Sequence, residues 1–273
     1  PRRKQEGISH AEMFGPPDQS VQVILLDTRY FRSSLKKKTL TIPSIGPYLP
    51  DPDPEKTILG PAQWQWLEGE LRKPARVRLL VSSIQVVPED HGWEKWHNLT
   101  AERDKLFQLL RSTRAGGLIV LSGDRHLAEL SMMDAGIGYP LYDLTSSGLT
   151  QGFGGWRKLE ANRHRVATMP FGNNFGVIDI AWERPDPTIS LQIRDEAGDI
   201  VLQHKVNLSV LQPGKFKTGK TGGKTPLLNG EVLTPDLVKA HLNKEVALTM
   251  VVQATGASGK GGLVFLNSVD ARS

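Results

Sequence analysis

The sequence predicts a mixed α/β fold in its first half and β structure thereafter, followed by a separate small β segment. Three observations carry this. Short apolar runs alternate with helix-period segments up to Leu121, only strand-like patterns recur from Pro140 to Val206, and a Gly/Lys/Thr/Pro stretch without acids then interrupts the pattern before Glu231.

Val21–Asp27 reads as a buried strand that ends in a carboxylate. Arg29–Pro54 is basic, proline-rich and aperiodic, so it is expected to be a long surface loop. Gly60-Pro61 opens a helix with proline in its first turn, and Trp64, Leu67 and Leu71 fall on one face. Arg76–Ser83 is the next strand, Val87–Asn98 is irregular, and Thr100 is placed to cap a helix bearing Leu106, Phe107, Leu109 and Leu110. Gly116-Gly117 stops that helix and feeds the strand Gly117–Leu121.

Beyond it, Pro140–Ser146 and Phe175–Trp182 are strands, the latter with Ile178, Ile180 and Trp182 on one face. Thr188–Arg194 and Ile200–Val206 form a hairpin through Glu196-Ala197-Gly198-Asp199. Its inward residues are expected to be Ile189, Leu191, Ile193, Ile200, Leu202 and Val206. Residues 1–210 thus make one domain and 211–229 a basic linker. Residues 230–273 begin a β domain, with a short helix from Thr234, a strand at Val246–Val252, a turn at Gly256–Gly262 and a return strand at Leu263–Asn267. A hairpin of that size cannot bury a core alone.

The 273 residues allow a sizeable core, and no apolar run approaches the roughly 18 residues of a membrane-spanning helix. Zero cysteines exclude disulfides, thiolate metal sites and cysteine nucleophiles without fixing a compartment. A net charge of +5 and a pI near 9.4 favour anionic partners such as phosphate esters or nucleic acid. Pro1 opens the sequence with no signal-peptide pattern, and Ser273 closes it in polar sequence; we read the chain as an internal piece of a longer protein.

The residues that carry chemistry are Ser122-Gly123-Asp124-Arg125-His126, on a glycine turn directly after a buried strand. An acid and an imidazole two residues apart can face one metal or one phosphate. His126 is a candidate ligand or phosphate-side general acid, and a backbone-bonded structural histidine is the alternative. Asp124 is a candidate ligand that could instead cap the turn. Arg29 could bind a phosphate through its guanidinium fork or pair with Asp27 beneath the site, the second being slightly favoured. Arg125 is expected to point to solvent. His97 is a candidate pocket residue in a loop with His91, Trp93 and Trp96; the bland reading is packed aromatics and exposed histidines. Gly214–Thr221 satisfies the nucleotide P-loop pattern, but Gly222, Gly223 and Pro226 forbid the helix that such a loop needs.

Four stretches, in order, resemble the PhoD-like alkaline phosphatase and phosphodiesterase family. Ile24–Arg32 is similar to its "LDTRYYR" segment and Leu59–Leu67 to its "LG-x-x-Q-x-x-WL" helix. Trp96–Arg103 is similar to its tryptophan-to-Glu-Arg stretch, and Ser122–His126 to its "SGDxH" loop. The resemblance implies the C-terminal half of an αββα metallophosphoesterase sandwich. It also implies hydrolysis of phosphomonoesters or phosphodiesters and a divalent metal pair such as calcium with iron. Asp124 and His126 would lie at the metal and phosphate site, Arg29 and His97 at the substrate, and the protein would be periplasmic or secreted.

The family's upstream ligands, including its "WDDHD"-type motif, are absent from this sequence, so the chain alone is expected to bind metal poorly and to be inactive. Glu245–Ser268 resembles the start of an OB-like β domain. It offers Phe265 as its one aromatic platform, which makes nucleic acid the lesser partner reading. The competing class is a non-catalytic scaffold that binds nucleic acid or another anionic polymer.

Overall fold

The computed structural model describes residues 5–40, 46–154 and 159–214, and the backbone of 254–257 and 264–267. The chain divides into two units, Pro1–Gly222 and Gly223–Ser273. In the first, a seven-stranded sheet runs in the order β1 (His10–Phe14), β2 (Val21–Leu25), β3 (Val77–Val81), β4 (Leu118–Ser122), β6 (Leu141–Ser146), β5 (Ala128–Met133), β7 (Arg165–Met169). Strands β2, β3, β4 and β6 are mutually parallel. β1 runs antiparallel on one edge, and β5 is antiparallel to both β6 and β7.

The crossovers β2–β3 and β3–β4 carry α1 (Gly60–Arg72) and α2 (Thr100–Thr113), which pack on each other. Both crossovers step in the same direction across the sheet, so the right-handed rule puts both helices on one face. A second, antiparallel sheet has the order β10 (Ile200–Asn207), β9 (Thr188–Asp195), β8 (Asn174–Ala181), and β8 packs against β5 and β6. This is the mixed α/β fold the sequence predicts.

One apolar cluster joins these layers, from Leu67 and Leu71 of α1 and Leu106 and Leu110 of α2, through Leu80 and Val120, to Ile189, Leu191 and Ile193 of β9. Each such side chain taken fully from water contributes about 2 kcal/mol. Gly117, at φ +67°, sets the start of β4: an added Cβ there would meet the Arg76 carbonyl oxygen at 2.2 Å. Only glycine fits both the dihedral and that approach.

Several expectations are corrected. Thr100 does not cap α2; the cap position is Leu99, without a side-chain hydrogen bond. Ile200 is 48% exposed rather than inward, because a register shift between Ile200 and Leu202 turns it away from the core. Leu211, assigned to the start of the linker, is buried, and its carbonyl accepts the Gly117 N–H. Strands β1, β5 and β7 were not expected.

In the second unit, β11 (Ala254–Ala257) pairs antiparallel with β12 (Val264–Asn267), so Gly256 lies in a strand and not in the turn. The expected helix from Thr234, the strand Val246–Val252 and the P-loop-like run beyond Gly214 lie outside the described residues.

Candidate active site

The carboxyl ends of β2, β3, β4 and β6 deliver their connecting loops to one edge of the sheet. Because β5 lies beyond β6, the β4–β5 connection must cross over the end of β6. Such an edge, where strand order reverses, is the usual ligand position in open α/β sheets. Ser147, just past β6, anchors the crossing loop: its Oγ accepts the Arg125 N–H at 2.9 Å, and its own N–H donates to the Leu127 carbonyl at 3.3 Å.

That loop is strained. Asp124 has φ 68° and His126 φ 55°, left-handed values that cost a side-chain-bearing residue about 1 kcal/mol or more. The alternation turns Asp124 and His126 outward and Arg125 inward. Arg125, expected at the surface, is buried: its guanidinium lies 3.3 Å from Glu160 and over the Trp93 ring.

Arg29 joins this pair from the turn after β2. Asp27 builds that turn, its carboxylate accepting the backbone N–H groups of Arg29, Tyr30 and Ile8, each at 2.9 Å. Burial pushes the Asp27 carboxyl up, but the three amide donors outweigh it and hold it below its ordinary value. Gln63 of α1 clamps the same residue, accepting its N–H at 2.8 Å and donating to its carbonyl at 2.9 Å. The favoured Asp27–Arg29 side-chain pair is therefore corrected: Asp27 holds the Arg29 backbone, and the guanidinium reaches elsewhere.

The guanidinium is shared between two carboxylates. Its Nη1 contacts Glu94, and its Nη2 lies 3.4 Å from Asp124 Oδ1. Arg32 Nη1 approaches the same Glu94 oxygen at 3.0 Å. Desolvation raises the Asp124 carboxyl above its ordinary value; Arg29, Arg125 and His126 oppose that rise and Glu94 adds to it. His126 lies with its ring 5.9 Å from Phe153, whose N–H donates to the His126 carbonyl at 3.3 Å.

His97 has a different setting from these three. Its Nδ1 is 3.4 Å from Arg103 Nη1, a guanidinium paired with Glu89 at 2.9 Å, and burial lowers its basicity first, with Arg103 adding to it. His91 is buried rather than exposed, its Nε2 2.9 Å from Gln85 Oε1. Burial, reinforced by nearby Arg125, Lys95 and Arg165, drives its pKa down to about 2 and keeps it neutral.

A model described as "PhoD-like phosphatase" matches residues 14–164. The chain belongs to the PhoD-like phosphatase family. Its fold is similar to that of a solved structure titled "Structure of PhoD", with 18% identity and a TM-score of 0.51, covering 76% of this chain and 45% of that one. The chain therefore spans less than half of that structure's length, and identity this low speaks to the fold alone. No curated protein matches it.

Seen as a PhoD-like phosphatase, the chain uses much of its family-like sequence as scaffold. Glu102 receives the Trp64 indole N–H at 2.9 Å and the Ile58 N–H at 2.8 Å, joining α2 to the start of α1. Arg103 donates to the carbonyls of Val86 and Val87, both at 2.7 Å, and so shapes the loop that ends in Glu94. Glu94 is the residue that sequence reasoning missed; as one of three acids in an irregular loop it gave no signal of its own.

The metals that the family resemblance implies are tested by the donor set. Asp124 and His126 are suitable donors, but among the described residues no three such side chains cluster. Two donors do not close a centre. The residues present do not by themselves fit a metal pair.

Proposed function

We propose that this chain supplies the phosphate-binding and proton-donating part of a phosphate-ester hydrolase. The observation that carries the reading is the Arg29–Asp124 pair at the carboxyl edge of the parallel strands, with Asp124 on the same loop that turns His126 outward. Membership of a phosphatase family supports a phosphate ester as substrate. Monoesters and diesters both fit that chemistry.

On this reading Arg29 binds non-bridging phosphate oxygens through its planar fork. Asp124 orients that fork from one side. A water oxygen bonds to phosphorus as the bond to the leaving oxygen breaks. His126, as imidazolium, gives its proton to the departing oxygen, and the proton shed by the attacking water passes to the phosphate product or to solvent, from which the imidazole is recharged. Metal dependence belongs to the proposal only as far as Asp124 and His126 are suitable donors; no step is assigned to a metal. The activity is that of the complete protein, and this chain alone is expected to be inactive. Export is proposed with it on the family resemblance alone.

The test is hydrolysis of p-nitrophenyl phosphate, its bis ester and an alkyl phosphate by the complete protein, with and without His126→Ala. A general acid matters most for a poor leaving group. The alkyl ester should lose roughly a hundredfold or more in kcat, and the nitrophenyl ester less. Equal rates for variant and parent would remove His126 from the chemistry. The scaffold reading, favoured by exposed Arg29, Lys36 and Lys37, predicts that none of the three esters is cleaved.

A further inference from the structure

We propose that Glu94 is a built-in competitor for phosphate: it occupies the two arginines that the substrate must take over. The inference rests on the phosphoester reading above and adds a regulation of that site. Arg29 and Arg32 both direct Nη1 at the same Glu94 oxygen, Oε2. Arg32 Nη1 is buried and makes no hydrogen bond, so its contact with Glu94 is ionic and poorly directed. One carboxylate oxygen is a meagre acceptor for two guanidinium groups. A phosphate can give each arginine its own oxygen and carries up to two charges, so it wins the exchange.

Glu94 is held in place for this role. Its neighbour Trp93 donates its indole N–H to Glu160 at 3.0 Å and lies under Arg125, which adjoins Asp124. Its other neighbour, Lys95, is buried and bonded to the His91 carbonyl. The carboxylate is therefore presented to the site from a fixed backbone. With Glu94 and Asp124 against Arg29 and Arg32, the formal charges cancel before an anion arrives. Glu94 thereby weakens retention of inorganic phosphate, the product, as well as entry of substrate.

The test is titration of the complete protein with inorganic phosphate, followed calorimetrically at constant ionic strength, for the parent, Glu94→Gln and Glu94→Asp. Glu94→Gln keeps the shape and removes the charge, and it should bind phosphate roughly three- to tenfold more tightly, the size of one partly exposed ion pair. Glu94→Asp keeps the charge and should stay close to the parent. Unchanged or weaker binding by Glu94→Gln, or tightening by Glu94→Asp equal to it, would overturn the competition. A parent that neither binds phosphate nor cleaves any ester would instead withdraw the phosphoester reading itself.

Discussion

Ser122 Oγ donates a 2.6 Å hydrogen bond to Asp143 Oδ1, tying the first residue of the functional loop to a carboxylate with no exposed surface. The other Asp143 oxygen accepts the N–H groups of Val86 and Val87 at 2.8 and 2.9 Å. One side chain on β6 thus fixes both the end of β4 and the loop that leads to Glu94. Burial pushes its pKa up from 3.8 to about 6 against the hydrogen bonds that lower it. The folded state then holds this proton more tightly than the unfolded chain, so this group's stability contribution is full below pH 4 and falls as pH rises to about 6. Two pKa units correspond to about 3 kcal/mol. Asp143→Asn should flatten that part of the stability–pH curve in urea denaturation. Asp143→Ala, which orphans three buried donors, should cost about 3 kcal/mol or more below pH 4, and less as the parent itself loses stability towards pH 6. A parent curve with no slope between pH 4 and 6 would refute the assignment.

Glu89 gives the opposite sign. The His164 ring, whose Nε2 lies 3.4 Å from its carboxylate, and Arg103, paired with it at 2.9 Å, act against the penalty of burial and hold its pKa down to about 2 from 4.5. A depressed carboxyl stabilises the fold above pH 4.5, and that stabilisation is lost as pH falls towards 2. After discounting for solvent screening, Glu89→Gln should cost about 1–2 kcal/mol at pH 7 and nothing near pH 2. Equal losses at both pH values would show that the effect is steric.

Arg29→Lys tests the fork rather than the charge. Lysine keeps one positive charge but cannot bridge Asp124 and a phosphate in one plane. In the complete protein, KM for p-nitrophenyl phosphate should rise roughly tenfold with a smaller change in kcat, since on the proposed reading the interaction forms on binding. An unchanged KM would leave Arg29 as a purely structural partner of Glu94.

Much of this arrangement was legible in the sequence because periodicity and turn residues report local structure. α1, α2, β2–β4, β6 and the β9–β10 hairpin could be read from apolar spacing. β1 and β7 could not: they are edge strands of five residues with partly exposed faces, which leave little pattern. β5 was hidden by Glu129 and Ser131, buried polar residues whose partners, Gln85, Arg165 and Asn162, are remote in sequence. The same remoteness hid the inward turn of Arg125 and the reach of Glu94 to Arg29, sixty-five residues away. Motif resemblance found Gln63, Glu102 and Arg103 without showing that they support the site from beneath.

The left-handed dihedral of Asp124 yields the last prediction. An L-residue held there costs up to about 1–2 kcal/mol, least for Asn and Asp, and glycine alone carries no Cβ penalty. Part of the gain on replacement is lost again, because glycine has more freedom in the unfolded chain. The bond given up is weak, a 3.4 Å contact to a half-exposed Arg29. Asp124→Gly should therefore be as stable as the parent or up to about 1 kcal/mol more stable, while the phosphate-ester hydrolysis proposed for the complete protein is lost. Asp124→Val, β-branched at the same dihedral, should lose about 1–2 kcal/mol beyond Asp124→Gly. Urea midpoints of the three proteins at pH 7 decide it. If glycine proves as damaging as valine, the loop stores no strain, and the backbone alone does not account for the outward presentation of Asp124 and His126.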